Sequence, residues 1–127
     1  MEKQVVRTEA APAPFQGAPY NQAIVAGDFV FVAGQLGLKP GDTAVEGDIT
    51  QQTEQVLDNL ASILEAAGSS LEKVVKVNVY LRDIKDFQAM NEVYKTMFST
   101  PYPARTTIQA GALPGGIAVE IECVARV

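Results

Sequence analysis

The chain of 127 residues contains no histidine, no tryptophan and a single cysteine, Cys123. Without histidine there is no Ser-His-Asp or Cys-His nucleophile system, no HExxH zinc site and no imidazole general base. One cysteine excludes an internal disulfide, a CxxC redox pair and a cysteine-rich zinc site. Any catalysis therefore rests on carboxylates, Arg and Lys, hydroxyls, amides and backbone groups. Basic residues are also scarce: Lys+Arg is 10 against 15 Asp+Glu, for a net charge of −5. Binding through phosphate neutralisation normally shows as a basic excess, so nucleic acid is not an expected partner. No apolar run approaches the roughly 20 residues that span a bilayer, and no membrane association is expected. Residues 1–14, MEKQVVRTEAAPAP, carry Glu2 and Glu9 and lack the apolar stretch of a signal peptide, and the chain has no Asn-x-Ser/Thr site. These features predict a cytoplasmic protein with a free thiol.

What is present reads as one domain over residues 1–127, with 47% hydrophobic and 20% charged residues and no low-complexity tract. A short strand is expected around Lys3–Thr8, followed by an extended connection, Ala10–Pro19. QAIVAGDFVFVAGQL then gives two β-rich runs joined at Gly27-Asp28 as a tight hairpin, and Lys39–Asp42 is a turn. Ile49, Thr53, Val56, Leu57, Leu60, Ile63, Leu64 and Ala67 recur at helical spacing, with Asp48 as N-cap and Gly68 placed to end the helix. VVKVNVYLR alternates, with Val75, Val77, Val79 and Leu81 on one face and Lys76, Asn78, Tyr80 and Arg82 on the other. A second helix starts at Asp83 or Asp86, carries Phe87, Met90, Tyr94, Met97 and Phe98 as its apolar stripe, and ends at Pro101 and Pro103. RTTIQA is a short strand. The last strand sets Ile117, Val119, Ile121, Cys123, Ala125 and Val127 against Ala118, Glu120, Glu122, Val124 and Arg126. Phe29, Phe31, Phe87 and Phe98 are expected in the core.

The order β-β-β-α-β-α-β-β predicts an α+β two-layer sandwich with a ferredoxin-like core, a mixed sheet with both helices on one face. Apolar residues on both sides of several strands predict that a second copy covers the other face.

Several residues are candidates for chemistry. Arg105 follows a rigid Pro101-Tyr102-Pro103-Ala104 segment and is either a fork for a carboxylate or half of a surface ion pair. Glu120 lies within an apolar alternation, either as a base with a burial-raised pKa or as a solvated side chain. Tyr20 offers a hydroxyl beside Pro19 or closes over the core, and Asn91 interrupts the second helix's stripe either as a site group or as a satisfied buried amide. Cys123 reads as a small buried hydrophobe. Gly111–Gly116 (GALPGG) lacks the lysine and the strand-to-helix setting of a phosphate loop.

In order along the chain, Pro19-Tyr20-x-Gln22-Ala23, Gly34-Gln35, Leu57–Ser70, Val74-Val75-Lys76, Asp86-Phe87-x-x-Met90-Asn91-x-x-Tyr94, Pro103-Ala104-Arg105 and Val119-Glu120-Ile121-Glu122 resemble the RidA (YjgF) family of reactive-intermediate deaminases. The resemblance implies a ferredoxin-like/chorismate-mutase-like fold, a homotrimer with sites at the subunit clefts, and hydrolysis of 2-imino acids and their enamine tautomers to 2-oxo acids and ammonia. It implies no cofactor and no metal. Arg105 matches the arginine that binds the substrate carboxylate, Glu120 the acid that positions the attacking water, and Tyr20 the tyrosine lining the cleft. Gly34, Asn91 and Thr107 fall at further substrate-binding positions, Thr107 where many members have cysteine and a mainly backbone role. Ala33 stands where many members have serine, so one site hydroxyl is missing. Other roles attached to such proteins, a non-catalytic small-carboxylate binder and an endoribonuclease or translation inhibitor, remain as alternatives.

Overall fold

The computed structural model describes residues 2–127. Six strands form one sheet: β1 (Gln4–Val6), β2 (Ala23–Ala26), β3 (Phe29–Leu36), β4 (Val74–Leu81), β5 (Ala104–Gln109) and β6 (Val119–Arg126). Helix α1 (Ile49–Ala66) precedes β4 and α2 (Phe87–Met97) follows it. The strand order across the sheet is β1-β2-β3-β6-β4-β5, with β4 and β5 parallel and the other neighbours antiparallel. No helix among the described residues is long and apolar enough to cross a membrane.

Helix α1 forms for reasons visible in its ends as well as its stripe. Asp48 accepts a hydrogen bond from the Gln51 N–H at 2.9 Å while the Gln51 side chain accepts from the Asp48 N–H at 3.0 Å, a reciprocal capping box. Gly68, at φ +80°, takes the left-handed conformation past the other end. The helix buries Val56, Leu57, Leu60, Ile63 and Leu64 against the inner face of the sheet, where Val30, Val32, Val77, Val79, Leu81, Val119, Ile121 and Ala125 are also buried. α2 lies on the same face and contributes Met90, Val93 and Tyr94.

Two details of sidedness depart from the sequence reading. Phe29 and Phe31 are 41% and 48% exposed, because in β3 it is Val30 and Val32 that face the helices. Both alternating sets are apolar, so hydrophobicity alone does not say which points inward. In β4, Val74 pairs with Ala125 and Lys76 with Val124, which leaves Val75 as a bulge; Val74 is buried and Val75 exposed. Val127 lies beyond the end of β6 and is also exposed.

Three buried amides tie connections to this frame. Gln22 Nε2 donates to the Thr8 and Pro12 carbonyls at 3.0 and 2.8 Å, and its Oε1 accepts from the Thr8 N–H at 2.8 Å. Asn59 Nδ2 donates to the Leu36 and Leu38 carbonyls. Gln52 donates to the Gly47 and Gly116 carbonyls and accepts from the Ala118 N–H. Gly37 lets this arrangement close: a Cβ there would lie 2.9 Å from both Cα and Cβ of Gln52. Gly37→Ala is therefore expected to destabilise by about 1–3 kcal/mol, as an overpacked contact against helix backbone. Thermal unfolding should show a Tm lower by several degrees; an unchanged Tm would mean that α1 shifts freely away from β3.

Candidate active site

The residues singled out in the sequence fall into two groups, on opposite faces of the sheet. Arg105 pairs in the ladder with Val77, and Val77 with Cys123, both buried beneath the helices. Arg105 and Thr107 thus point to the helix face of β5, the edge strand. Glu120 pairs with Tyr80, and Tyr80 with Ile108, a row on the open face. The two rows are three residues apart along β4, roughly 10 Å, and β5 and β6 are two strands apart, again roughly 10 Å. One copy of the chain does not bring Arg105 and Glu120 together.

The first group surrounds a cavity of about 390 Å³ lined by Asn91, Tyr94, Lys95, Tyr102, Pro103 and Arg105. The Arg105 guanidinium carbon lies 4.7 Å from the centroid of the Tyr94 ring and 5.5 Å from that of Phe87, and the aromatic faces hold the cation without discharging it. Tyr94 is fixed in turn by stacking on Phe98, centroids 4.4 Å apart. Arg105 has no carboxylate partner; the ion pair found among the described residues is Lys95–Glu92, on the surface. The Arg105 guanidinium donates to the Met90 sulfur at 4.0 Å. The surface-ion-pair reading is thereby removed.

Of the cavity's residues, Asn91 Oδ1 and the Tyr94 hydroxyl are buried without a hydrogen-bond partner among the described residues, as is Thr107 Oγ1 further along β5. Buried polar atoms are ordinarily satisfied, so the unpartnered Asn91 oxygen and Tyr94 hydroxyl make this a polar cavity beside an unpaired guanidinium. Asn91 is accordingly not the satisfied buried amide that was one reading of it. Burial pushes the Tyr94 phenol up to about 12, with Arg105 opposing, so the hydroxyl remains protonated at neutral pH. The sequence reading took Tyr94 only as core; a tyrosine three residues after Asn91 on the same helix was the available signal.

The second group lines a cavity of about 320 Å³, formed by Phe15, Tyr20, Ala33, Gly34, Leu36, Pro114 and Glu120. Val32 pairs with Cys123 and Gln35 with Ile121, so Ala33 and Gly34 together oppose Glu122 as a β-bulge. The bulge and the absent side chain at Gly34 make room for Glu120: a Cβ on Gly34 would collide with Glu120 Oε2. Tyr20 accepts a hydrogen bond from the Phe15 N–H and so braces its own loop, while its ring faces the cavity. Glu120 is held above the usual carboxylate range by burial and by the nearby negative charge of Glu122. It is therefore half-buried and not the freely solvated side chain that was one reading of it.

Arg82 was read as an outward-facing strand residue, and its role was not visible in the sequence. Its guanidinium donates to the carbonyls of Leu113, Pro114 and Ile117 at 2.8, 2.6 and 2.7 Å. The Gly111–Gly116 connection is thus clamped by Arg82 and Gln52, with Pro114 forming a wall of the Glu120 cavity. Cys123 is buried and its thiol is pushed up to about 12, chiefly by that burial, which leaves it unreactive. Among the described residues no group of three or more Asp, Glu or Cys side chains is arranged to hold a metal ion. A larger cavity, about 700 Å³, lies between Val6–Pro14 and Pro40–Gly41 and includes none of these candidates.

The fold is thus an α+β sandwich with a cationic cavity at one sheet edge and, on the open face, a glutamate raised above the usual carboxylate range. Residues 8–127 match the family model described as Endoribonuclease L-PSP. The chain is 50% identical over 124 residues to the RutC family protein PH0854 of Pyrococcus horikoshii, covering 97% of each chain. It is 46% identical over 126 residues to the chloroplastic Reactive Intermediate Deaminase A of Arabidopsis thaliana, covering 98% of this chain and 66% of the plant protein. The fold matches the crystal structure of RidA from an Antarctic Psychrobacter with a TM-score of 0.92 and 44% identity, covering 98% and 99% of the two chains. The chain belongs to the RidA family.

Proposed function

We propose that the protein hydrolyses 2-imino acids such as 2-iminobutanoate and 2-iminopropanoate, formed by tautomerisation of enamines from pyridoxal-phosphate-dependent dehydratases, to 2-oxo acids and ammonia. The observation that carries this reading is the unpaired Arg105 guanidinium in a cavity with the unpartnered Tyr94 hydroxyl and Asn91 oxygen. Such a pocket suits a carboxylate held through two parallel hydrogen bonds, with the Tyr94 hydroxyl as a further donor. Glu120, raised in pKa and without a hydrogen-bond partner of its own, suits the second task, taking a proton from water. Membership of a family that includes a plant reactive intermediate deaminase supports the reaction type.

The chemistry asks little more. A protonated imine is already electrophilic, so water adds to its carbon as Glu120 accepts a proton. The resulting carbinolamine collapses: Glu120 returns its proton to the amine nitrogen, the C–N bond breaks and the nitrogen leaves as ammonia, and the hydroxyl gives up its proton to solvent as it becomes the carbonyl. Positioning contributes several kcal/mol and proton transfer about 10²–10⁴-fold. Because Arg105 and Glu120 lie on opposite faces of one sheet, a complete site takes Arg105 from one copy and Glu120 from another. The exposed Phe29 and Phe31 on the open face support such an assembly, a homotrimer in this reading.

The test is a coupled assay in which a serine or threonine dehydratase, or an amino-acid oxidase, generates the imine and semicarbazide traps what remains. Wild type is expected to suppress semicarbazone formation. Glu120→Ala should lose about 10²–10⁴-fold in rate while still binding 2-oxo acids. Binding without turnover by the wild type, across several imines, would instead establish a carboxylate receptor, the reading that Ala33 in place of a site hydroxyl favours. The family model's endoribonuclease description has less support here, since the net charge is −5 and histidine is absent.

A further inference from the structure

Beyond Arg105 and Glu120, the open face holds a group that the proposed reaction has not used. Glu122 lies two residues from Glu120 on β6 and projects from the same face, with the two Cα atoms roughly 7 Å apart. It is tied down from β4: the Tyr80 hydroxyl and Asn78 Nδ2 both donate to Glu122 Oε1, Asn78 at 3.3 Å. The ladder register makes the choice of partner notable. Tyr80 stands directly opposite Glu120, yet its hydroxyl turns to Glu122 on the diagonal. Glu120 is thereby left with no hydrogen-bond donor of its own.

We propose that Glu122 is a positioning residue for Glu120: two donors from β4 fix its carboxylate on the face that Glu120 shares, and that neighbouring negative charge keeps Glu120 basic enough to take a proton from water. This rests on the hydrolytic reading above. The division of labour follows from what each carboxylate meets. Glu122 is held in place by two donors, the Tyr80 hydroxyl and Asn78 Nδ2. Glu120 has burial and a like charge, and both lift it above the usual carboxylate range. The Tyr80 phenol, raised to about 12 mainly by its bond to Glu122, stays a donor throughout the physiological range.

The other groups near Glu120 leave this balance in place. From β3 it meets Gly34 and Leu36, which carry no charge, and the Gly111–Gly116 connection offers Pro114. Tyr20 shares the cavity, its hydroxyl engaged by the Phe15 N–H. The cation nearest in register is Arg82, two residues beyond Tyr80 and opposite Ala118, whose guanidinium is committed to the Leu113, Pro114 and Ile117 carbonyls; Lys76, farther along β4, donates to Thr106 Oγ1 at 3.0 Å. Arg126 lies at the far end of β6, opposite Phe29.

The sign of the effect is fixed. Hydrolysis by a general base falls as pH drops through the base's pKa, and a neighbouring negative charge raises that pKa. Glu122→Gln, which keeps shape and acceptor but removes the charge, should move the acid limb of the kcat/KM profile to lower pH. Glu122→Asp, which restores the charge, should return the limb toward its wild-type position. Tyr80→Phe removes a donor that fixes the Glu122 carboxylate, lets it swing away from Glu120, and should move the limb in the same direction as Glu122→Gln, but less. The Glu120 side-chain carboxyl, followed by ¹³C NMR titration without substrate, should shift in parallel in each variant. Wild-type hydrolysis with an acid limb that neither Glu122→Gln nor Tyr80→Phe moves would overturn the proposal. A wild type without imine hydrolysis would overturn the hydrolytic reading and this role with it, while the titration would still report whether the two carboxylates sense each other.

Discussion

Arg105→Ala is expected to abolish binding of 2-oxo and 2-imino acids, the largest single-residue effect on affinity in the molecule. A guanidinium giving two charge-assisted hydrogen bonds contributes about 1.5–3 kcal/mol through each, so affinity should fall at least about a hundredfold. The fold should tolerate the change. Arg105 makes no ion pair, and its packing is against the faces of Phe87 and Tyr94, which have other neighbours. Arg105→Lys is the informative companion: it preserves the charge but loses the planar fork and the stacking on Tyr94. It should recover only part of the affinity. Calorimetry with a 2-oxo acid, beside thermal unfolding, separates the possibilities. A large loss of affinity with a small change in Tm supports the carboxylate clamp. A drop in Tm with affinity intact would make Arg105 a packing residue.

Much of this arrangement was legible in the chain, and what was not has a common cause. The helix from Ile49 was readable because period, N-cap and terminating glycine agree, each a local signal. The alternation of β6 correctly set Glu120 and Glu122 apart from Val119, Ile121 and Cys123. Phe29 and Phe31 were placed inward because alternation fixes which residues share a face but not which face is covered. The bulges at Val75 and at Ala33-Gly34 escaped for a related reason: each adds a residue to one strand and shows only once partners are paired. Register likewise decides that Arg105 and Glu120 lie on opposite faces, since neither strand alone states its phase relative to the other. Tyr94 was read as core and is core; its second property, a buried hydroxyl with no partner, depends on what lies across from it.

Opposed faces lead to the second large effect, a rescue by mixing. Arg105→Ala and Glu120→Ala should each be close to inactive alone, the first for lack of binding and the second for lack of a base. If each site combines Arg105 of one copy with Glu120 of another, co-assembly of the two variants recreates intact sites. A site works when the copy supplying Arg105 carries only the Glu120 change and its neighbour carries only the Arg105 change. In an equal mixture with random exchange, that occurs at about a quarter of the sites in a cyclic oligomer. Refolding the two variants together, or co-expressing them, should therefore restore about a quarter of wild-type activity, whereas mixing without subunit exchange restores none. A site contained in one copy predicts no recovery under either protocol. The double variant Arg105→Ala/Glu120→Ala mixed with wild type is the control. It should dilute activity more steeply than its mole fraction if sites are shared, and in proportion to it if they are not.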